Sequence, residues 1–378
     1  MKNVVVAGYA RSPFTLATKG ALARVRPDDI GAQVVAALVK RAGIRPGDIE
    51  DLIVGCAMPE GEQGLNVARN IGLLAGLPQS VAGLTVNRFC GSSMQSVHIA
   101  AGQIQLGAGD VFIAAGVESM SRIPMGGFNP LPNPALQAVV PAAYIGMGDT
   151  AENVARKWHI DRREQEAFAV RSQQRAAAAI AHGYFSDEIV PITTPAGVID
   201  KDGCPRPDTT AEGLAQLKPA FNAVGSVTAG TSSPLTDGAA AVLVCSEEYA
   251  AKNGLVPLAR LRSVAVAGCA PEIMGIGPVA ATQKALQRAG VNIGAIDVVE
   301  LNEAFASQAL ACLRELDIRD ATLNIDGGAL ALGHPLGATG ARIVGKAASL
   351  LKRTGGKLAL ATQCIGGGQG IATILERI

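Results

Sequence analysis

Between Asp29 and Gly55 apolar residues fall at Ile30, Val34, Ala37 and Leu38, the spacing of one helix face. Arg41-Ala42-Gly43-Ile44 follows, then the strand-like run Asp51-Leu52-Ile53-Val54-Gly55. The same order returns from Ala280 to Leu301: a helical pattern, Arg288-Ala289-Gly290-Val291, then Asp297-Val298-Val299-Glu300-Leu301, offset by about 247 residues. The chain therefore reads as two halves of similar architecture.

The repeat extends further. After Cys90 the pattern predicts a helix with Met94, Val97, Ala101 and Ile104 on one face, then a strand over Gly109 to Gly116. After His334 come a comparable helix and a strand over Gly356 to Thr362. Cys90 and His334 thus head equivalent helices, and in a doubly wound α/β sheet such turns line the ligand crevice. The stretch from Val117 to Ala240 does not repeat and reads as an insertion. It carries a Pro/Gly/Asn-rich loop from Ile123 to Pro141, a helix from about Thr150 to His182, and the loop Asp202 to Pro207. The expected division is residues 1–117 with about 240–258 as the first half, 118–239 as an inserted loop domain, and 259–378 as the second half.

Composition narrows the class. Of 378 residues 48% are hydrophobic and few are aromatic, which suits a large aliphatic α/β interior. The net charge of +1 gives no global field for nucleic acid or an anionic membrane. Residues Met1 to Gly8 run into a strand-like segment without a secretory core, and no stretch approaches the ~18 apolar residues of a membrane span. A soluble, cytoplasmic protein is the expectation. Seven scattered cysteines without a Cys-x-x-Cys pair, and four histidines, support neither a disulfide framework nor a metal site. Cys56, Cys204, Cys245, Cys269 and Cys312 read as small buried hydrophobes, and His98, His159 and His182, in helical patterns, receive no function.

Three residues and a glycine run invite chemistry. Cys90 lies between a strand-like run and a helix, where free amides and the helix dipole favour a thiolate. His334, between Gly333 and Pro335, has its backbone restricted and its imidazole aimed, as a general base requires. Cys364 precedes Gly366 to Gly368, whose amides are unobstructed enough to hold an oxyanion. A thiol near its ordinary pKa of about 8.5 suits reversible proton exchange with another thiol. Taken singly, each of these is more often structural: a buried cysteine, a satisfied histidine, a glycine loop.

Taken together they resemble one family. Val86-Asn87-Arg88-Phe89-Cys90-Gly91-Ser92-Ser93, Asn302-Glu303-Ala304-Phe305, Gly333-His334-Pro335-Leu336-Gly337 and Cys364-Ile365-Gly366-Gly367-Gly368-Gln369-Gly370 stand in the order found in the thiolases. The resemblance implies a duplicated fold with a layered α-β-α-β-α core and an inserted loop domain. It makes Cys90 the nucleophile, His334 the base and part of an enolate oxyanion hole, and Cys364 the acid/base. Asn302 would hold a water in that hole, and the Gly366 and Cys90 amides would form a second. Glu303 is left without chemistry. Coenzyme A would be a co-substrate, with no permanently bound cofactor and no metal. Ser233, in Thr228 to Ser233, would contact pantetheine, Arg206 the adenine end, and Met147 the acyl thioester. Homodimers or dimers of dimers are implied, and for some members a hydratase/dehydrogenase partner subunit.

Ser93, Gly146 and Thr231-Ser232-Ser233-Pro234 favour the degradative branch, which cleaves 3-ketoacyl-CoA, over the biosynthetic branch, which joins two acetyl-CoA. A decarboxylating β-ketoacyl synthase has no need of Cys364. A non-catalytic acyl or sterol carrier has no need of Cys90, His334, Asn302 and Cys364 together.

Overall fold

The structure, a computed structural model, describes residues 2–378. Its strands are β1 (Val4–Arg11), β2 (Thr15–Leu16), β3 (Asp51–Gly55), β4 (Ala82–Val86), β5 (Val111–Ser119), β6 (Ile192–Thr194), β7 (Gly197–Ile199), β8 (Thr236–Ser246), β9 (Ala259–Gly268), β10 (Val298–Leu301), β11 (Leu358–Ile365) and β12 (Gln369–Glu376). Apart from the β6-β7 hairpin they form one path, β10-β11-β12-β9-β1-β8-β5-β3-β4, with β2 on β8.

That path is one order written twice. From the centre outward, β1-β8 and β8-β5 are antiparallel, then β5-β3 and β3-β4 are parallel. On the other side β9-β12 and β12-β11 are antiparallel and β11-β10 is parallel, with a single parallel bridge from Val299 to Leu323 in the place of β4. The halves meet where β1 pairs antiparallel with β9. Gly43 and Gly290, at matching places in the repeat, both end helices at φ 67°, a left-handed conformation that glycine adopts without strain.

Helix faces set the layers. Ile30, Val34 and Leu38 of the helix Pro27–Ala42 pack on Val5, Leu52 and Leu243, covering the outer side of the first half. Ala281 and Ala285 of the helix Gly277–Ala289, with Ala309 and Cys312 of Ala306–Leu316, cover the second half against Leu301, Leu360 and Ile374. Between the halves the Cys90 helix (Ser92–Leu106) and the His334 helix (Thr339–Thr354) share one core, Met94, Val97 and Ile104 with Ile343, Val344 and Leu351. The expected α-β-α-β-α layering results.

The insertion between β5 and β8 departs from expectation in one respect. The helix predicted from Thr150 to His182 is two helices, Met147–Lys157 and Arg162–Ala181. His159, at φ 52°, turns the chain between them, and Asp161 and Glu164 form a reciprocal capping box. The charge run Asp161 to Glu164 therefore starts a helix. No helix among the described residues is long and apolar enough to cross a membrane.

Candidate active site

Close contact between the starts of the two central helices brings the turns that carry Cys90 and His334 together, and Cys90 packs in one cluster with Leu336. A Cβ on Gly340 would lie 2.2 Å from Met94 N, so only glycine lets the helix starts approach this far. Ala341 N donates to Ser93 Oγ at 2.8 Å across the same contact. The Gly337 amide donates to Glu118 at 2.9 Å, and Glu118 also accepts from Ala57 N at 2.8 Å. This buried carboxylate at the end of β5 ties the His334 turn to the first half.

His334 leaves the chain after Gly333, whose φ of 94° makes the turn, and its own amide donates to Thr236 Oγ1 at 3.0 Å. Nδ1 lies 2.6 Å from Thr339 Oγ1, and that hydroxyl donates to Pro335 O at 3.0 Å. The pattern assigns the proton to Nδ1 and leaves the Nε2 lone pair facing Asn302 Nδ2 at 3.3 Å. Asn302 Oδ1 is buried and has no partner among the described residues. Burial first, and then the charge of Arg342, lower the His334 pKa to about 3. Burial thus favours the neutral imidazole.

Burial acts on Cys90 too. The amides of Gly366 and of Cys90 itself point at the sulfur and favour the thiolate, yet burial outweighs them and pushes the pKa up to about 11. The resting group is a thiol whose proton must be taken during attack. Cys364 is buried, and desolvation, followed by the nearby Cys90 sulfur, raises its pKa well above the ordinary value. The expected near-ordinary thiol is replaced by one kept protonated. Gln363 Nε2 donates to Cys90 O, joining β11 to the Cys90 turn.

Around Gly366 the surface is apolar. A Cβ there would stand 3.5 Å from the Met147 sulfur and 3.8 Å from the Phe89 ring. Met147 also packs on the cluster of Cys364, Met274 and Phe305. Ser233, half-buried, is held by its amide to Ala304 O at 2.9 Å, two residues from Asn302. Arg206 stays exposed in a loop whose Cys204 packs on Gly333, with its amide on Gln173 Oε1 at 2.7 Å. Glu303 is buried and accepts from Ser172 Oγ, Asn324 Nδ2 and Leu330 N at 2.6, 2.8 and 3.2 Å.

Several of these partners were not singled out in the sequence: Thr339, Thr236, Gln363 and Glu118. A glutamate inside the apolar run of β5 and a glutamine inside that of β11 were the available signals. Of the remaining residues, Cys269 is only half-buried, and His98 hydrogen-bonds Thr373 Oγ1 at 2.8 Å inside the core. A cleft of about 590 Å³ beside Tyr9, Glu188, Lys346 and Arg353 contains none of Cys90, His334, Asn302 and Cys364.

Two family models cover nearly the whole chain, thiolase N-terminal domain over residues 4–248 and thiolase C-terminal domain over residues 255–377. The chain belongs to the thiolase family. Among curated relatives, thiolase sequences called 3-ketoacyl-CoA thiolase from Bacillus subtilis and Aliivibrio fischeri are 51% and 47% identical, each aligned over 100% of both chains. Among solved structures, the Bacillus anthracis acetyl-CoA acetyltransferase has a TM-score of 0.92 at 42% identity, covering 100% of this chain and 99% of its own. Human mitochondrial 3-ketoacyl-CoA thiolase also reaches 0.92, at 39% identity and the same coverage. The thiolase fold expected from the motifs is thereby shown over the full length.

Proposed function

We propose that this thiolase is an acyltransferase that cleaves 3-ketoacyl-CoA with coenzyme A, giving acetyl-CoA and a shortened acyl-CoA. The observation that carries the proposal is the meeting of a buried thiol, two amides aimed at it, a neutral imidazole beside an amide side chain, and a second buried thiol.

Each group has one task. Cys90 Sγ attacks the 3-keto carbon while its proton passes to His334 Nε2. The Gly366 and Cys90 amides receive the alkoxide oxygen. The bond between the second and third carbons breaks, leaving an acyl-cysteine and the enolate of acetyl-CoA. His334 and Asn302 face the enolate oxygen, Asn302 through a held water, and Cys364 gives its proton to the carbon. Coenzyme A then returns a proton to Cys364 and attacks the thioester; Cys90 leaves and recovers its proton from His334. Coenzyme A acts as co-substrate, with Ser233, Arg206 and Met147 proposed for its pantetheine, adenine and thioester ends.

The names of the curated relatives, together with Ser93, Gly146 and Thr231 to Pro234, support the degradative direction and a place in fatty-acid β-oxidation. The 42% identity to an acetyl-CoA acetyltransferase favours condensation of two acetyl-CoA as the second reading. CoA-dependent loss of 3-ketoacyl-CoA across a chain-length series, with Cys90→Ala and Cys364→Ala alongside, decides between them. Cleavage of medium or long chains that both substitutions abolish supports the first; activity confined to acetoacetyl-CoA supports the second.

We further assign a cytoplasmic homodimer or dimer of dimers, with an enoyl-CoA hydratase/3-hydroxyacyl-CoA dehydrogenase subunit as candidate partner. Sedimentation finding a fully active monomer would overturn the oligomer. The proposed domains are 1–117 with about 240–258, 118–239 and 259–378; β8 (Thr236–Ser246) straddles the boundary near 240.

A further inference from the structure

The two amides proposed to receive the alkoxide oxygen belong to different elements. The Cys90 amide lies in the turn between β4 and the helix Ser92–Leu106, and the Gly366 amide lies at the tip of the β11-β12 hairpin. Donors of this kind act only where they converge on one point. The turn and the tip must therefore be held in register.

Hydrogen bonds within the turn make it rigid. Arg88 N donates to Ser92 Oγ at 2.9 Å, Ser92 Oγ donates to Phe89 O at 2.6 Å, and Gly91 N donates to Arg88 O at 2.9 Å. The tip, in contrast, has no side chains to anchor it. It consists of Gly366, Gly367 and Gly368, with Gly367 and Gly368 at φ 79° and 84°, and Ile365 pairs with Gln369 just below it. On the side away from the turn, Cys269 N donates to Gly368 O at 2.8 Å.

Toward Cys90 the link is a side chain. Arg88 Nη1 donates to Gln369 Oε1 at 2.9 Å. Arg88 is half-buried, its Nε is buried without a partner, and the Gln369 amide is the one side-chain partner of its guanidinium among the described residues. No carboxylate competes for the cation, so this bond decides where it stands. Other contacts bring the body of the hairpin up to the turn: a Cβ on Gly91 would lie 2.5 Å from Ile365 Cδ1, and Gln363 Nε2 donates to Cys90 O. The bond from Arg88 is the one that reaches the residue directly after the glycines.

We infer that Arg88 is a positioning residue for the oxyanion hole: through Gln369 it holds the glycine tip at the distance from the Cys90 turn at which the Gly366 and Cys90 amides meet one oxygen. The inference rests on the proposed role of Cys90 as nucleophile.

Two reactions of Cys90 separate this role from a structural one. Acyl transfer from acetyl-CoA places negative charge on the thioester oxygen and needs the hole. Alkylation by iodoacetamide displaces iodide from a saturated carbon, so it needs the sulfur and its base but no hole. Both rates are read by mass at the Cys90 peptide in the parent, Arg88→Met, Gln369→Leu and the double variant, with urea midpoints measured on the same samples. Each single variant should acylate about ten-fold more slowly, less than the loss of a whole donor, while alkylation stays within about two-fold. The double variant should be no slower than the slower single one, because the same bond is lost in each.

Parental acylation in either single variant overturns the inference. So does an equal fall in acylation and alkylation, which would mark the bond as structural only, and so does a double variant in which the two losses multiply. Should one single variant fail to fold, the other decides by the same two rates. Cys90→Ala separates the levels. A Cys90→Ala protein that cleaves 3-ketoacyl-CoA like the parent removes the role of Cys90 and this inference with it, whereas a dead Cys90→Ala with parental acylation in Arg88→Met removes only the role of Arg88.

Discussion

Asn302 Nδ2 stands 3.3 Å from His334 Nε2, although the two are 32 positions apart and come from the end of β10 and from the turn at Gly333. The contact leaves Asn302 Oδ1 without a protein partner in a fully buried setting. A buried acceptor without a partner is costly in a purely structural position, which fits a group arranged for the reacting oxygen and its water.

Asn302→Ala should lower kcat for thiolysis by about 100-fold with KM little changed, because the interaction serves the developing charge rather than substrate binding. Steady-state kinetics with one 3-ketoacyl-CoA measure this. A fall confined to KM would place Asn302 in binding only.

Cys364→Ala should separate the two thiols. Acyl transfer from acyl-CoA to Cys90 keeps its oxyanion hole and base, and the CoA sulfur can depart as a thiolate without the Cys364 proton, whereas a carbanion cannot. Turnover of 3-ketoacyl-CoA needs a proton at the departing carbon. Intact-mass measurement should find Cys90 acylated in Cys364→Ala while steady-state cleavage is lost; cleavage near the parental rate would assign the proton to another group.

Glu303→Ala should act on stability. Ser172 Oγ and Leu330 N lose their acceptor inside the core and Asn324 Nδ2 keeps only Leu301 O, at a cost of about 1–3 kcal/mol. Urea denaturation should record that loss. A variant of parental stability with abolished kcat would instead bring Glu303 into the chemistry.

Acid should weaken the fold partly through His98. Burial lowers its pKa from 6.5 to about 3, so between those values the unfolded chain binds a proton that the folded chain does not. Stability from this group is complete above pH 6.5 and falls as pH decreases toward 3. His98→Gln, which can still hydrogen-bond Thr373, should flatten the fall of the urea midpoint over that window while leaving thiolysis intact. Parallel curves for parent and variant would show that His98 carries no such linkage.

The periodicities that create the halves are local, and they were readable directly. The 3.6-residue spacing of Ile30, Val34 and Leu38, the strand Asp51 to Gly55 and their second copy after Ala280 specify the same elements that the structure contains. The helix break at Trp158 to Asp161 was missed because its decisive feature is a reciprocal cap and the positive φ of His159, while the hydrophobic pattern continues across it.

Among the candidate site positions, Cys90, His334, Asn302, Cys364 and Gly366 could be proposed because each sits in a motif that resembles the thiolases. Residue types, motif order and the duplication were therefore determined by the sequence alone. Tertiary structure decided the protonation states and the supporting partners. Desolvation depends on everything that packs around a group, so the thiol form of Cys90 and the neutral form of His334 arise only when both halves close over them. Thr339, Gln363 and Glu118 reach the site, and Arg88 meets Gln369, through contacts between separate elements, and spacing along a chain does not encode which side chains will face one another across a layer.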